Sequence, residues 1–263
     1  MTRLDVIATV GLAVTGALYL GAWLALLAER GRTGRGLMTA AWVVNAGLVA
    51  FNWFVAGEPP FGNMYHVLVV LALCFPPLFL LLAVRERLRW AGVYFAFTSA
   101  LPLIGALCIG QDVTWRRMPA LQSPWFVPHV LAYMIAYALA TVALVMTAAG
   151  ALKSRSGGDG EGGRYEPAAY AALRLAFPFM TFGMLSGALW AETAWGAWWS
   201  WDPKETWSLI TWTLYVIYFH CRAAPSLRPY ALPVQVLGFT ALLITFLLVN
   251  LLPRLGGGLH SYA

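Results

Sequence analysis

The stretch 64–84, MYHVLVVLALCFPPLFLLLAV, holds no aspartate, glutamate, lysine or arginine in 21 residues. At about 1.5 Å of rise per residue, a helix of that length crosses the roughly 30 Å hydrocarbon core of a bilayer. Outward from it the pattern recurs, and apolar runs at 4–28, 37–56, 90–109, 128–152, 168–189, 207–223 and 231–253 predict further spans. These runs lack period-two alternation, and backbone groups in lipid must be satisfied internally, so helices are favoured over a barrel. The fold class is therefore all-α: a polytopic membrane protein with about eight transmembrane helices, forming a single integral membrane domain over 1–263.

Composition agrees. Of 263 residues, 60% are hydrophobic and 11% charged, whereas soluble domains carry about 25% charged residues. A soluble enzyme is excluded. The net charge of +6, from 17 Lys+Arg against 11 Asp+Glu, is better placed on basic membrane-side loops than on a nucleic-acid surface. Cys74, Cys108 and Cys221 form no CxxC pair, which argues against a disulfide framework, a thiol relay or a cysteine metal site. The first apolar stretch lacks the features of a removable signal and is expected to stay as a span.

Orientation follows from the cations. Loops after the first, third, fifth and seventh spans hold Arg30, Arg32, Arg35, Arg85, Arg87, Arg89, Lys153, Arg155, Arg164, Arg174, Arg222 and Arg228, which is 12 of the 17. The positive-inside rule puts that side in the cytoplasm, and both termini outside with the remaining loops. The segment 154–163, SRSGGDGEGG, is expected to be a flexible cytoplasmic linker.

The outside loops are 57–63, 110–127 and 190–206, and the last, WAETAWGAWWSWDPKET, contains Trp190, Trp195, Trp198, Trp199 and Trp201, with Trp207 following at once. Indoles at this density make a platform for a large flat apolar ligand; an interfacial aromatic belt is the plainer alternative. The chain has four histidines. His129, at the start of the fifth span, and His260, beyond the last, fall on the same expected face as the tryptophans. Two imidazoles from different helices beside an aromatic shelf are what bis-histidine ligation of haem iron needs, although incidental interfacial histidines give the same spacing. His220 lies 13 residues beyond Trp207, roughly 20 Å along a helix axis, near the cytoplasmic end. An intramembrane histidine is a functional candidate, with a helix–helix hydrogen bond as the alternative. His66 begins the third span near the outer face, a candidate extra haem ligand for which a polar cap at the span entrance is the alternative.

The stretch from Trp190, WAETAWGAWWSWDPKETWSLITW, resembles the WWD signature of haem-handling membrane proteins, with Trp195, Gly196, Trp199, Trp201 and Asp202 matching WGxxWxWD. Its continuation, Pro203, Lys204, Glu205, Thr206 and Trp207, resembles the CcsA (ResC) family of cytochrome c biogenesis system II more than the CcmC or CcmF branches. SPWFVPHV around His129 and GLHSYA around His260 fit the same family.

The resemblance implies more than the spacing does. Such proteins take haem b, as ligand and substrate, from the cytoplasmic side of the bacterial plasma membrane. They hold it at an outer, periplasmic WWD site and present it to the CxxCH of apocytochrome c. His129 and His260 match the outer axial pair, and His220 matches an inner haem ligand completed by a histidine from a CcsB-like membrane protein. The new thioether bonds come from the partner's thiolates, which a thiol-reductase pathway keeps reduced. This chain then supplies orientation and ligation.

Arg116, Arg117 and Lys204 are candidate propionate partners by side, as is Arg254, for which a stop-transfer charge is the alternative. Asp202 is expected to cap the seventh helix, with Pro203 at N1 and Glu205 at N3. One position departs from the family: after Pro60-Phe61-Gly62-Asn63-Met64-Tyr65 stands His66, where glutamate is usual. That keeps a HemX-like role open, namely membrane haem binding or regulation without ligation. A carrier of some other flat ligand is the third alternative.

Overall fold

The computed structural model describes residues 3–109, 113–114, 119–155 and 162–248. Its helices are α1 (Arg3–Leu27), α2 (Gly31–Ala56), α3 (Met64–Arg85), α4 (Gly92–Leu107), α5 (Phe126–Arg155), α6 (Tyr165–Trp195), α7 (Pro203–Ala223) and α8 (Ala231–Leu243), the last continued by a π turn over Ile244–Leu248. Among the described residues there is no strand.

Seven segments are long and apolar enough to cross a membrane: Arg3–Leu27, Gly31–Ala56, Met64–Arg85, Arg89–Leu107, Phe126–Arg155, Tyr165–Trp195 and Pro225–Leu247. The chain is a multi-pass membrane protein. The sequence predicts an eighth span at 207–223, and α7 is helical there, but it is not among the seven. Its ends carry Lys204, Glu205 and Arg222, and its middle is rich in Thr, Tyr and Trp.

Several boundaries also move. α2 starts at Gly31, so Arg32 and Arg35 are helical rather than in a loop. Ser154 and Arg155 complete α5, and Gly162–Arg164 form a 3-10 turn, so helix takes part of the expected linker. The stretch 190–207 read as a loop narrows to 196–202, because α6 runs to Trp195 and α7 begins at Pro203. The added residues include Ala, Glu, Lys and Arg, all good helix formers, and nothing before Gly196 stops α6.

The chain divides into two compact units, one drawn from Met1–Gln122 with Met134–Ala172 and the other from Ser123–Tyr133 with Leu173–Ala263. In the first, α1 packs on α2 and α4, and α3 on α2 and α4. Pro76 and Pro77 lie inside α3. A proline lacks the N–H that would bond the carbonyl four residues back, so Pro77 leaves the Leu73 carbonyl without its helical donor. Trp42 on α2 fills the gap, its indole N–H donating to that carbonyl at 3.1 Å. On the same face of α2, Asn45 and Asn52 are fully buried, and Asn52 Oδ1 accepts from the Tyr65 hydroxyl at 3.1 Å.

The ends of the 154–163 segment meet at one aromatic group. The Arg164 guanidinium lies 4.5 Å from the Trp90 ring and 5.5 Å from Tyr165, and the Lys153 ammonium lies 5.8 Å from Tyr165. In the second unit α7 packs on α8. Trp212 of α7 stacks on Phe177 of α6 at 5.5 Å and donates to the Thr181 hydroxyl at 3.0 Å.

Candidate functional site

The site is built where the start of α5 meets the last turns of α6. His129 sits one turn into α5, against the α6 face that carries Gly183, Gly187 and Trp190. Its Nδ1 lies 2.7 Å from the Gly183 carbonyl oxygen. A carbonyl can only accept, so Nδ1 carries the proton and the lone pair is on Nε2. The ring lies between Tyr133, edge-on at 5.1 Å, and Trp190 at 5.5 Å. Gly187 makes room for it: a Cβ there would stand 2.6 Å from His129 Cε1 and 2.7 Å from Nδ1. Trp190 is itself buried, packed against Phe126 at 5.2 Å and Trp195 at 4.9 Å. An imidazole of fixed tautomer thus heads a row of indoles.

α6 ends at Gly196, whose φ of +75° is the left-handed conformation that glycine adopts without a Cβ clash. Its N–H donates to the Glu192 carbonyl at 2.9 Å. In the turn that follows, Trp198 and Trp201 are 55% and 68% exposed, large apolar surfaces facing outward from the unit. Trp199 is half-buried and edge-on to Trp201 at 5.7 Å. Its indole N–H is buried without a hydrogen-bond partner among the described residues. Trp201 has φ +60°, which for a residue with a Cβ costs about 1–2 kcal/mol.

The far end of the turn is tied down by the start of α7. Asp202 Oδ1 accepts from the Glu205 N–H at 2.8 Å, and Glu205 Oε2 accepts from the Asp202 N–H at 3.3 Å. This is the capping box expected from the sequence, with Pro203 in the first turn. Glu205 reaches further than expected, also accepting from the Ser200 N–H at 2.8 Å and the Ser200 hydroxyl at 3.2 Å. One carboxylate therefore accepts three hydrogen bonds from two residues of the turn.

Partial burial pushes the Lys204 ammonium down to about 8, against the opposing pull of the Asp202 charge. Removing an ammonium from water disfavours its charged form, and the neighbouring Asp202 carboxylate offsets part of that cost. Trp207 follows on α7, half-buried.

The structure thus brings His129, Trp190 and Trp195 into contact and continues from them through Gly196, Trp198, Trp199 and Trp201 to Asp202 and Lys204. His220 is not part of that group. It lies in the last turn of α7, exposed, with Nδ1 2.8 Å from the Val216 carbonyl of its own helix. His66 belongs to the first unit, fully buried at the start of α3, with its N–H donating to Asn63 Oδ1 at 2.8 Å and its ring 5.2 Å from Tyr65. His260, Arg116, Arg117 and Arg254 lie outside the described residues.

Sequence reasoning missed Gly183, Gly187, Ser200 and the bond from the Thr193 hydroxyl to Ser123 at 2.9 Å. The four-residue spacing of the glycines in FGMLSGALW was the available signal. Small residues at that spacing let helices approach closely in membranes.

The match to known proteins follows the same stretch. Residues 61–255 match the model of the Cytochrome C assembly protein family. A cytochrome c biogenesis protein CcsA from Synechococcus sp. (strain JA-2-3B'a(2-13)) is 32% identical, over 90% of this chain and 86% of its own length. The CcsA of Chlamydomonas reinhardtii is 34% identical over 82% of this chain and 64% of its own. That of Pinus thunbergii is 33% identical over 87% and 86%. Among solved structures, the cytochrome c haem lyase CcmF superposes with a TM-score of 0.64 at 20% identity, over 94% of this chain and 47% of CcmF, a likeness of fold. The chain belongs to the CcsA family of cytochrome c assembly proteins, and its role lies in cytochrome c biogenesis.

Proposed function

We propose that this protein is the haem-handling subunit of a system II cytochrome c synthase, holding haem b at an outer site beneath the WWD turn and presenting it to the CxxCH of apocytochrome c. The observation that carries this is His129, held through Nδ1 on the Gly183 carbonyl and set beside Trp190 at the head of the tryptophan row. The aromatic row suits the apolar macrocycle, and Lys204 suits a propionate.

His260 is the proposed second axial ligand, with Arg116 and Arg117 as further propionate partners. On this reading both termini and the WWD turn lie on the periplasmic side of the bacterial plasma membrane, with α7 as an eighth span and the chain acting as one membrane domain. His220, exposed on α7, is the proposed inner ligand, where a histidine of a CcsB-like protein would complete the iron. Apocytochrome thiols reduced by a thiol-reductase pathway attack the haem vinyl groups, while this chain contributes proximity and iron ligation.

Co-expression with a CcsB-like protein and an apocytochrome, scored for covalent haem, tests the proposal. Covalent product that depends on His129 is expected; product formed equally well without this chain would refute it. His66, in place of the usual glutamate, favours a second reading: HemX-like haem binding without attachment. Tightly held haem with no covalent product in that assay would select it. Purified protein that remained colourless after haem was supplied would leave a carrier of another flat ligand.

A further inference from the structure

We infer that Gly183 and Gly187 are positioning residues for His129: together they form a notch in α6 that fixes the tautomer and plane of the imidazole, and so the nitrogen it offers to iron. This rests on the axial role proposed above and goes beyond it, because it assigns a function to two residues that carry no side chain.

The two glycines do different things. Gly183 contributes its carbonyl, 2.7 Å from Nδ1. A neutral imidazole has one N–H and one lone pair, and a carbonyl acceptor at Nδ1 directs the lone pair to Nε2 while making that nitrogen the stronger donor. Gly187 contributes space. A methyl group at 2.6–2.7 Å from the ring is far inside contact distance, and the ring is the part that yields, because the α6 backbone is held by its own helical bonds. Once the ring swings, Nδ1 leaves the Gly183 oxygen.

The remaining sides are already occupied. Tyr133 closes one side, edge-on to the imidazole, and its ring lies only 3.0 Å from where a Cβ on Gly183 would stand. Trp190 closes the other. The ring therefore has one seat, and that seat depends on Gly187 having no side chain.

Close helix packing is the ordinary reason for two glycines four residues apart. It predicts that a Gly187 substitution lowers stability and leaves the histidine tautomer unchanged. The notch predicts a change at the imidazole itself.

The experiment uses the full chain in membranes, labelled with nitrogen-15 in the histidine rings. It compares the wild type, Gly187→Ala and His129→Gly by solid-state NMR, and then by absorption spectroscopy after haem loading. The expected wild-type result is a resonance set for a ring protonated at Nδ1 and unprotonated at Nε2, missing in His129→Gly. In Gly187→Ala that pattern is lost, and haem retention falls several-fold with an altered low-spin spectrum.

A wild-type His129 protonated at Nε2 would overturn the inference even if Gly187→Ala failed to fold. So would a Gly187→Ala protein that kept both the wild-type tautomer and spectrum while His129→Gly lost its haem. If His129→Gly itself retained haem with an unchanged spectrum, the axial assignment would fall instead, and the inference with it.

Discussion

His129 and His220 both donate through Nδ1 to a backbone carbonyl, at 2.7 and 2.8 Å, yet their surroundings differ in kind. The acceptor for His129 belongs to another helix, and three side chains or gaps in side chains shape its seat. The acceptor for His220 belongs to its own helix one turn back, and the ring is otherwise exposed. A ligand prepared by tertiary contacts can hold cargo with little reorganisation. A ligand prepared only by its own helix needs a second surface. On the proposed function, the contrast corresponds to an outer site that retains haem and an inner one that a partner chain completes.

The sharpest way to break this contrast is to delete each ring. His129→Gly is expected to abolish the low-spin spectrum of the outer haem, whereas His220→Gly should lower haem content several-fold and recover when free imidazole is added. Equal loss and equal rescue in both variants, measured as haem per protein, would remove the distinction. Next in size is the turn between the two histidines. Glu205→Ala takes the acceptor from the Ser200 and Asp202 N–H groups, and losing such a cap should cost about 1–2 kcal/mol in thermal unfolding. Haem retention should fall with it while Trp201 loses its fixed place.

A smaller effect should appear with pH. Lys204 is held at about 8 in the folded chain, against about 10.4 for a free lysine. The unfolded chain therefore holds that proton more tightly, and stability rises as pH climbs from about 8 to 10. Affinity for a propionate moves the other way, because the cation is lost over the same range. Haem retention that declines through about pH 8 in the wild type and stays flat in Lys204→Met would fit; parallel profiles would not. Smallest is a control in the first unit. Trp42→Phe leaves the Leu73 carbonyl beside Pro77 without its donor and should cost about 1 kcal/mol of stability, with the haem spectrum unmoved.

What the sequence made legible, and what it hid, divides along physical lines. Apolar runs long enough to span a bilayer announced the helices, and Asp202-Pro203-Lys204-Glu205 announced its capping box, because both depend on residues close together in the chain. Helix ends were harder to read. Trp190 and Trp195 look like loop residues by their company, yet α6 continues through them until Gly196 can turn it. α7 was read as a span on length, and its polar ends keep it short of the apolar content of the others.

His129 stands out in the sequence by its expected place on the same face as the tryptophan stretch, but its orientation is not legible there. That orientation depends on a carbonyl 54 residues away, and carbonyls are common to every residue type. His66, fully buried, looked like a ligand or a cap from the sequence. Its N–H bond to Asn63 is a helix-start bond of the kind expected there.

The left-handed backbone at Trp201 sets stability and purpose at odds. A glycine at that position would relieve the strain and make the chain harder to unfold, at the cost of the most exposed indole in the turn. Selection of random variants for heat resistance alone should therefore enrich Trp201→Gly and return proteins that are sturdier and worse at their work. Efforts to stabilise this protein for purification would do well to leave that residue alone.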